Sequence, residues 1–424
     1  MSVPAAPISD AVWKDPRALA LLFAATLTIM ANATISPALP GLEAEFADTP
    51  NAALLTRFLV SAPSLSVLIC APLAGWMADR YGRRWILLLG IALFAVSGAA
   101  GAVLPNLTAI MISRLLLGVA VAMIMTAQTA LIGDYFTGDA RRSMMGLQTS
   151  ARNFGGLIFI TSAGALAVIS ARLPFAIYAV AILLLPLVWR YLAEPDPAQR
   201  SETATGSTEG AARSAWPVLL VGLASLQMIT SLVFFMMPTQ LPFFLATQAG
   251  DHSAKTGLLL GVLTLSGGMT GFLYLRINRW LGAAGAYALG YALMSSGFLM
   301  LTGGGTLWQS LAMVAIGSGL ATVMPNFVAL ALALSPASRR GVVAGALMAS
   351  VFLGQILSPA VSIPGIATLG FLEMFRAAAV LLICLAIGAA MWALIPRLYA
   401  ILLEPIRGCA APDRSNWQHH TTAR

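Results

Sequence analysis

Charge is scarce in this chain. Only 9% of its 424 residues are Asp, Glu, Lys or Arg, against about 25% in soluble domains, which excludes a water-soluble globular fold. Lysine is nearly missing: Lys14 and Lys255 are the only two, and every other basic residue is arginine. Cys70, Cys384 and Cys409 are the only cysteines and lie far apart, so neither a disulfide framework nor a metal centre is indicated. The three histidines, His252, His419 and His420, fall in a loop and in the tail. No nucleophile–base pair and no phosphate-cradling glycine loop can be built from such a set, which argues against an enzyme and against an ATP-driven pump. The net charge of +8 is not a nucleic-acid signature either, because no basic run alternates with aromatics.

What remains is apolar. Hydrophobic residues make up 59% of the chain, together with 38 Gly and 23 Pro, a composition that helices tolerate in lipid far better than in water. Apolar segments fall at 19–39, 55–77, 85–103, 107–131, 144–168, 173–189, 216–237, 256–274, 282–302, 306–333, 342–363 and 371–395. Each is near the length of about 20 residues needed to cross a bilayer, so the expected fold is an all-α polytopic membrane protein of twelve spans. The first segment, although preceded by Lys14 and Arg17, is longer than a signal-peptide core and reads as a retained span.

The basic residues settle an orientation. With the N-terminus cytoplasmic, Lys14, Arg17, Arg80, Arg83, Arg84, Arg141, Arg142, Arg190, Arg339 and Arg340 all gather on that side, while Arg172 and Lys255 face outward. The positive-inside rule favours this arrangement, which also returns the C-terminus to the cytoplasm. Residues 193–214, rich in Pro, Ser, Thr and Glu, read as a cytoplasmic linker. It separates an N-terminal six-helix half (1–192) from a C-terminal half (215–397), with a tail at 398–424. The halves resemble each other: Leu116-Leu117-Gly118 matches Ala315-Ile316-Gly317, and Arg141-Arg142 matches Arg339-Arg340. Such offsets indicate a duplicated, pseudo-symmetric fold.

Between the second and third spans stands Gly75-Trp76-Met77-Ala78-Asp79-Arg80-Tyr81-Gly82-Arg83-Arg84. This stretch resembles the G-x-x-x-D-R-x-G-R-R loop of the major facilitator superfamily at every defined position, and a degenerate copy follows span eight at Gly271, Arg276 and Arg279. The resemblance extends over nearly the whole chain. It implies a transporter that works by alternating access, with Gly75, Asp79, Arg80, Gly82, Arg83 and Arg84 as a gating motif. When the cytoplasmic end is closed, it further implies, Asp79 meets the start of span eleven near residues 340–342.

Coupling candidates follow from charges inside the apolar segments, where an ionised group needs a partner or a cavity. Arg114 and Gly118 resemble the family's span-four R-x-x-x-G element, associated with proton coupling in exporters, and share a stripe with Gln128. Asp134 closes span four beside the gating motif, and Glu373 lies one turn before Arg376, so that this pair can neutralise itself. Span five departs from the family's exporter pattern: Phe159-Ile160 and Ala163-Gly164 stand where glycine and proline pairs are expected. Its Arg152 instead offers the cavity a positive charge suited to an anionic or chelating substrate, or else snorkels at the rim. Spans one, four, seven and ten surround the family's central cavity. Asn32, Gln128, Gln227, Ser231, Phe234, Thr322 and Asn326 therefore join Arg152, and Gln355 of span eleven, as candidate substrate contacts.

The expected activity is secondary export of a small organic compound, drug-like or a metabolite such as a siderophore. Residues Pro37 to Phe46 resemble the end of span one in bacterial exporters, and the resemblance implies a monomer in the inner membrane of a bacterium. No cofactor is expected; protons supply the energy. Proton-coupled uptake of a small organic anion is the alternative reading, and a non-transporting sensor a remote one.

Overall fold

The computed structural model describes residues 15–194, 216–248, 252–303, 305–336 and 339–408. The linker beyond Glu194 and the tail beyond Gly408 lie outside these residues. Among the described residues every regular element is a helix, as lipid requires when each backbone N–H and C=O must be satisfied within its own segment.

The N-terminal half comprises Pro16–Ala33 continued by Leu39–Glu45, then Ala62–Tyr81, Arg83–Ala100, Leu107–Tyr135, Gly138–Ile169 and Leu173–Tyr191. A short helix, Ala52–Phe58, links the first two spans. The C-terminal half comprises Trp216–Ala246, Ser253–Leu301, Thr306–Leu334, Arg340–Leu369 and Phe371–Gly408. These are eleven continuous stretches, but Ser253–Leu301 has 49 residues. At 1.5 Å per residue that is about 73 Å, more than twice a bilayer core. It is broken at Gly282, where φ 69° and ψ 176° leave the helical region. Spans eight and nine are its two parts, so the count is twelve.

Span one bends because Pro37 lies in a 3₁₀ turn, Ser36–Ala38, between its two helical parts. Prolines at 72, 238, 242, 325, 359 and 364 sit inside helices, a placement rare in water and tolerated in lipid.

The duplication read from the sequence has a packing basis. A Cβ added at Gly118 would lie 2.2 Å from the Pro63 carbonyl oxygen and 2.7 Å from Ser66. One added at Gly317 would lie 2.2 Å from the Leu263 carbonyl oxygen and 2.3 Å from Ser266. Spans four and two thus meet as spans ten and eight do, backbone to backbone, at residues offset by about two hundred. Small residues permit that approach in each half. Two apolar cores result, one centred on Leu21, Phe94, Leu117 and Phe175 and the other on Met236, Tyr291, Met313 and Phe375.

Where the halves meet, their glycines record a taper. Spans five and eight touch at Gly164 and Gly257, where an added Cβ would lie 2.7 Å from the opposite Cα, and again at Gly156 against Thr264. Toward the other end, Gly146 and Gly271 on the same two spans, and Gly75 and Gly345 on spans two and eleven, have open space within 4 Å. The molecule is closed at the end that carries Glu45 and open at the end that carries Asp79.

Candidate functional site

Between the halves lies a chamber of about 700 Å³, within the range that holds a drug-sized molecule. Thr28, Ile29 and Asn32 of span one face Phe234, Phe235 and Pro238 of span seven across it. Span five contributes Arg152 and Asn153, span eight Leu260, Thr264 and Tyr274, span ten Met324 and Pro325, and span eleven Gln355. A second cavity, of about 620 Å³, lies toward the open end between spans two, four and eleven and is lined by Arg83, Asp134, Arg141 and Phe352 among others.

Of the nine residues expected to contact substrate, the chamber gathers Asn32, Arg152, Phe234 and Gln355. It does not gather the other five, because each is buried against a neighbouring helix. Gln128 donates to the Leu21 carbonyl at 2.6 Å, tying span four to span one. Gln227 accepts from Ser350 at 3.3 Å within the second half. Ser231 is buried where Gly354 closes on it. Thr322 bonds the Ser318 carbonyl of its own helix, and Asn326 donates to Thr322 and accepts from Tyr274 at 3.0 Å. An i, i+4 stripe shows which residues share a face, and in these cases the face is turned to another helix.

Arg114 lies apart from the chamber. It is fully buried inside the N-terminal half. Its guanidinium donates to the Gly98 carbonyl at 2.6 Å and lies 4.8 and 4.7 Å from the ring centres of Phe175 and Tyr178. Two cation–π faces and one carbonyl replace a carboxylate partner, while Nε and Nη1 have no hydrogen bond. Its counterpart in the second half, 199 residues on, is Met313, likewise fully buried.

Arg152 lines the chamber and is not at a rim. It makes no hydrogen bond or ion pair with any described residue. The other intramembrane candidate, Glu373, pairs with Arg376 at 2.5 Å on the exposed surface, as the spacing implied.

At the open end, Arg83 organises the gating motif. It binds Asp134 and the Ala130 carbonyl, and reaches Asp79 at 3.1 Å. Asp79 does not meet residues 340–342. Its side chain is 69% exposed, because spans two and eleven are apart at this end. One participant escaped the sequence reading: the Glu194 carboxylate caps the third span, accepting from the backbone N–H of Arg83 at 2.8 Å and of Arg84 at 2.9 Å. Two unsatisfied N–H groups at a helix start favour an anion, and Gly82, at φ 102°, leaves room for it. A lone Glu among prolines 111 residues downstream gave no signal of this.

Toward the closed end three kinds of contact cross between the halves. Gln355 Oε1 accepts from Asn32 at 3.1 Å and from Ser64 at 2.5 Å. The Arg57 guanidinium sits 4.4 Å from the Phe243 ring centre, and the glycine contact of spans five and eight lies beside them. Gln355→Leu removes both hydrogen bonds at about 1 kcal/mol each. It is expected to lower the population of this state roughly 30-fold relative to its opposite, read as slower cysteine labelling at the Asp79 end. Unchanged labelling would show that Gln355 does not hold the halves together.

The comparisons with known proteins agree with this architecture. A family model described as Major Facilitator Superfamily matches residues 21–359. Multidrug resistance protein 1 of Bacillus subtilis is 27% identical over 228 residues, covering 53% of this chain and 58% of that protein. Quinolone resistance protein NorA of Staphylococcus aureus is 31% identical over 148 residues, 35% of this chain and 37% of NorA. The matched region is thus little more than half the length of the first relative and about a third of the second. Among solved structures, a D-xylose-proton symporter superposes with a TM-score of 0.67 at 17% identity, covering 87% of this chain and 96% of that one. With four-fifths of its length matched by the family model, the chain belongs to the Major Facilitator Superfamily.

Proposed function

We propose that this protein is a secondary transporter that exports a small amphipathic organic compound by alternating access, the two six-helix halves rocking about the chamber. The observation that carries the reading is the chamber itself, which lies between the halves, open toward Asp79 and sealed toward Glu45. A passage that is open at one end only is one state of a two-state carrier. The gathering of arginine-rich loops at the Asp79 end supports assigning that end, with both termini, to the cytoplasm, and the bacterial relatives support the inner membrane as its location. The curated relatives named above are named for drug resistance, and this weighs for export over uptake of an organic anion. The unit is a monomer, because the chamber is complete within one chain.

The proton gradient supplies the energy. Among the described residues no carboxylate lines the chamber. Of the coupling candidates, Asp134 is the one at its cytoplasmic approach, held by Arg83.

Inverted membrane vesicles with an acidic interior test this reading. They are expected to accumulate an amphipathic substrate, and collapse of the gradient is expected to stop it. Accumulation that occurs only in right-side-out vesicles would overturn the direction, and absence of flux in either orientation would overturn transport.

A further inference from the structure

Several arginines among the described residues are neutralised or engaged. Arg83 holds Asp134 and Asp79, Arg172 holds Glu45, Arg376 holds Glu373, and even fully buried Arg114 has a carbonyl and two rings. Arg152 has none of these, although it stands deep in the bundle. Gly156, one turn further along the same helix, packs on Ile29 and Thr264, and Arg152 lies about 6 Å from it along the helix axis, within the membrane-spanning part of span five. A guanidinium at this depth is accommodated by the open chamber and is available to an anion that enters it. Asp or Glu side chains do not supply a counter-charge, since none lines the chamber among the described residues.

We propose, resting on the reading of the chamber as the transport site, that the substrate is an amphipathic organic anion whose carboxylate, sulfonate or phosphonate pairs with Arg152. The guanidinium presents paired N–H groups that match two oxygens of such a group. Ile29, Phe234, Leu260, Met324 and Pro325 add apolar lining to the same chamber for the body of the molecule. A cation entering the same space finds no carboxylate and is repelled by Arg152. Arg141, at the cytoplasmic approach, adds a second positive charge that draws anions inward. Closure of the chamber expels water. A bound anion eases that step by neutralising Arg152.

The test uses the full chain in lipid nanodiscs and three naphthalene probes of one shape: a sulfonate, a methylammonium and a neutral methanol. The wild-type protein is expected to bind the sulfonate at least about tenfold tighter than the other two, the scale of one charge-assisted hydrogen bond. Arg152→Gln is expected to erase this preference and leave the neutral probe's affinity unchanged, which also reports that the variant is folded. Arg152→Lys is expected to retain part of it. Equal binding of the ammonium probe by the wild type, or a sulfonate preference that survives Arg152→Gln, would overturn the proposal. Should Arg152→Gln fail to fold, the wild-type preference and Arg152→Lys decide. Selective sulfonate binding without flux in inverted vesicles would sink the transport reading and leave the site's chemistry standing. Flux of cationic and neutral compounds equal to that of anions would do the reverse.

Discussion

Gly257→Leu is expected to abolish transport while leaving the protein inserted and folded. Gly257 packs on Gly164 so closely that even a single added carbon would lie 2.7 Å from the opposite backbone, and neither backbone can yield as a flexible side chain would. The contact joins span five of one half to span eight of the other. The clash falls on the closed state alone. Overpacking costs about 1–3 kcal/mol when neighbours can adjust, and against backbone the upper end applies. That shifts the balance between states more than about 100-fold, holding the carrier open at the Glu45 end. Flux should vanish and labelling at the Asp79 end should fall, with Gly257→Ala intermediate. Normal flux in Gly257→Leu would show that this contact is not part of the cycle.

The Gly164–Gly257 contact was not legible in the sequence. Periodicity gives the face of a helix but not its neighbour, and the same information that located twelve spans left five of nine chamber candidates pointing into helix contacts. The four that line the chamber do so for a physical reason. Asn32, Phe234 and Gln355 lie on spans that border the interface between halves, and Arg152 is a charge for which the bundle interior offers no partner. Gln128 and Asn326 lie elsewhere because an amide inside a bundle finds partners among the helices as readily as it finds a cavity: the Leu21 carbonyl of span one for Gln128, and the Thr322 carbonyl of its own helix with the Tyr274 hydroxyl for Asn326. Glu194 was invisible for another reason: its action depends on the helix start at Arg83, a contact made only by the fold. The gating motif was legible in composition but not in state, since Asp79 pairs locally when spans two and eleven are apart.

Arg114 yields the second large effect, and the duplicated fold supplies its control. Arg114→Ala leaves a void in a fully buried site beside Phe175 and Tyr178 and is expected to cost about 2–5 kcal/mol, as large-to-small changes in cores do. Arg114→Met introduces the residue that fills the equivalent place, Met313, in the other half. It removes the unsatisfied Nε and Nη1 while keeping most of the volume, and replacing a buried charge by a well-packed apolar group is often neutral or stabilising. The melting temperature in detergent should therefore fall sharply for Arg114→Ala and stay near wild type for Arg114→Met. If Arg114→Met is stable yet inactive, the charge serves the transport cycle; if it is stable and active, Arg114 is a packing residue. Equal loss of stability in both variants would contradict the account of this site, since it would mean that the charge itself holds the half together.

The rocking of two halves about the chamber is tested most directly by paired distances at its two ends. Spin labels at Met145 and Leu275, both exposed on spans five and eight toward Asp79, report the open end; labels at Val168 and Leu258 report the closed end. In nanodiscs, pulsed electron resonance should record a long distance for the first pair and a short one for the second in the state described here. When a transported compound is added under conditions that turn the carrier over, the first should shorten as the second lengthens. Reciprocal change in the same sample is the result alternating access predicts. Both distances changing in the same sense, or neither changing while flux proceeds, would contradict it.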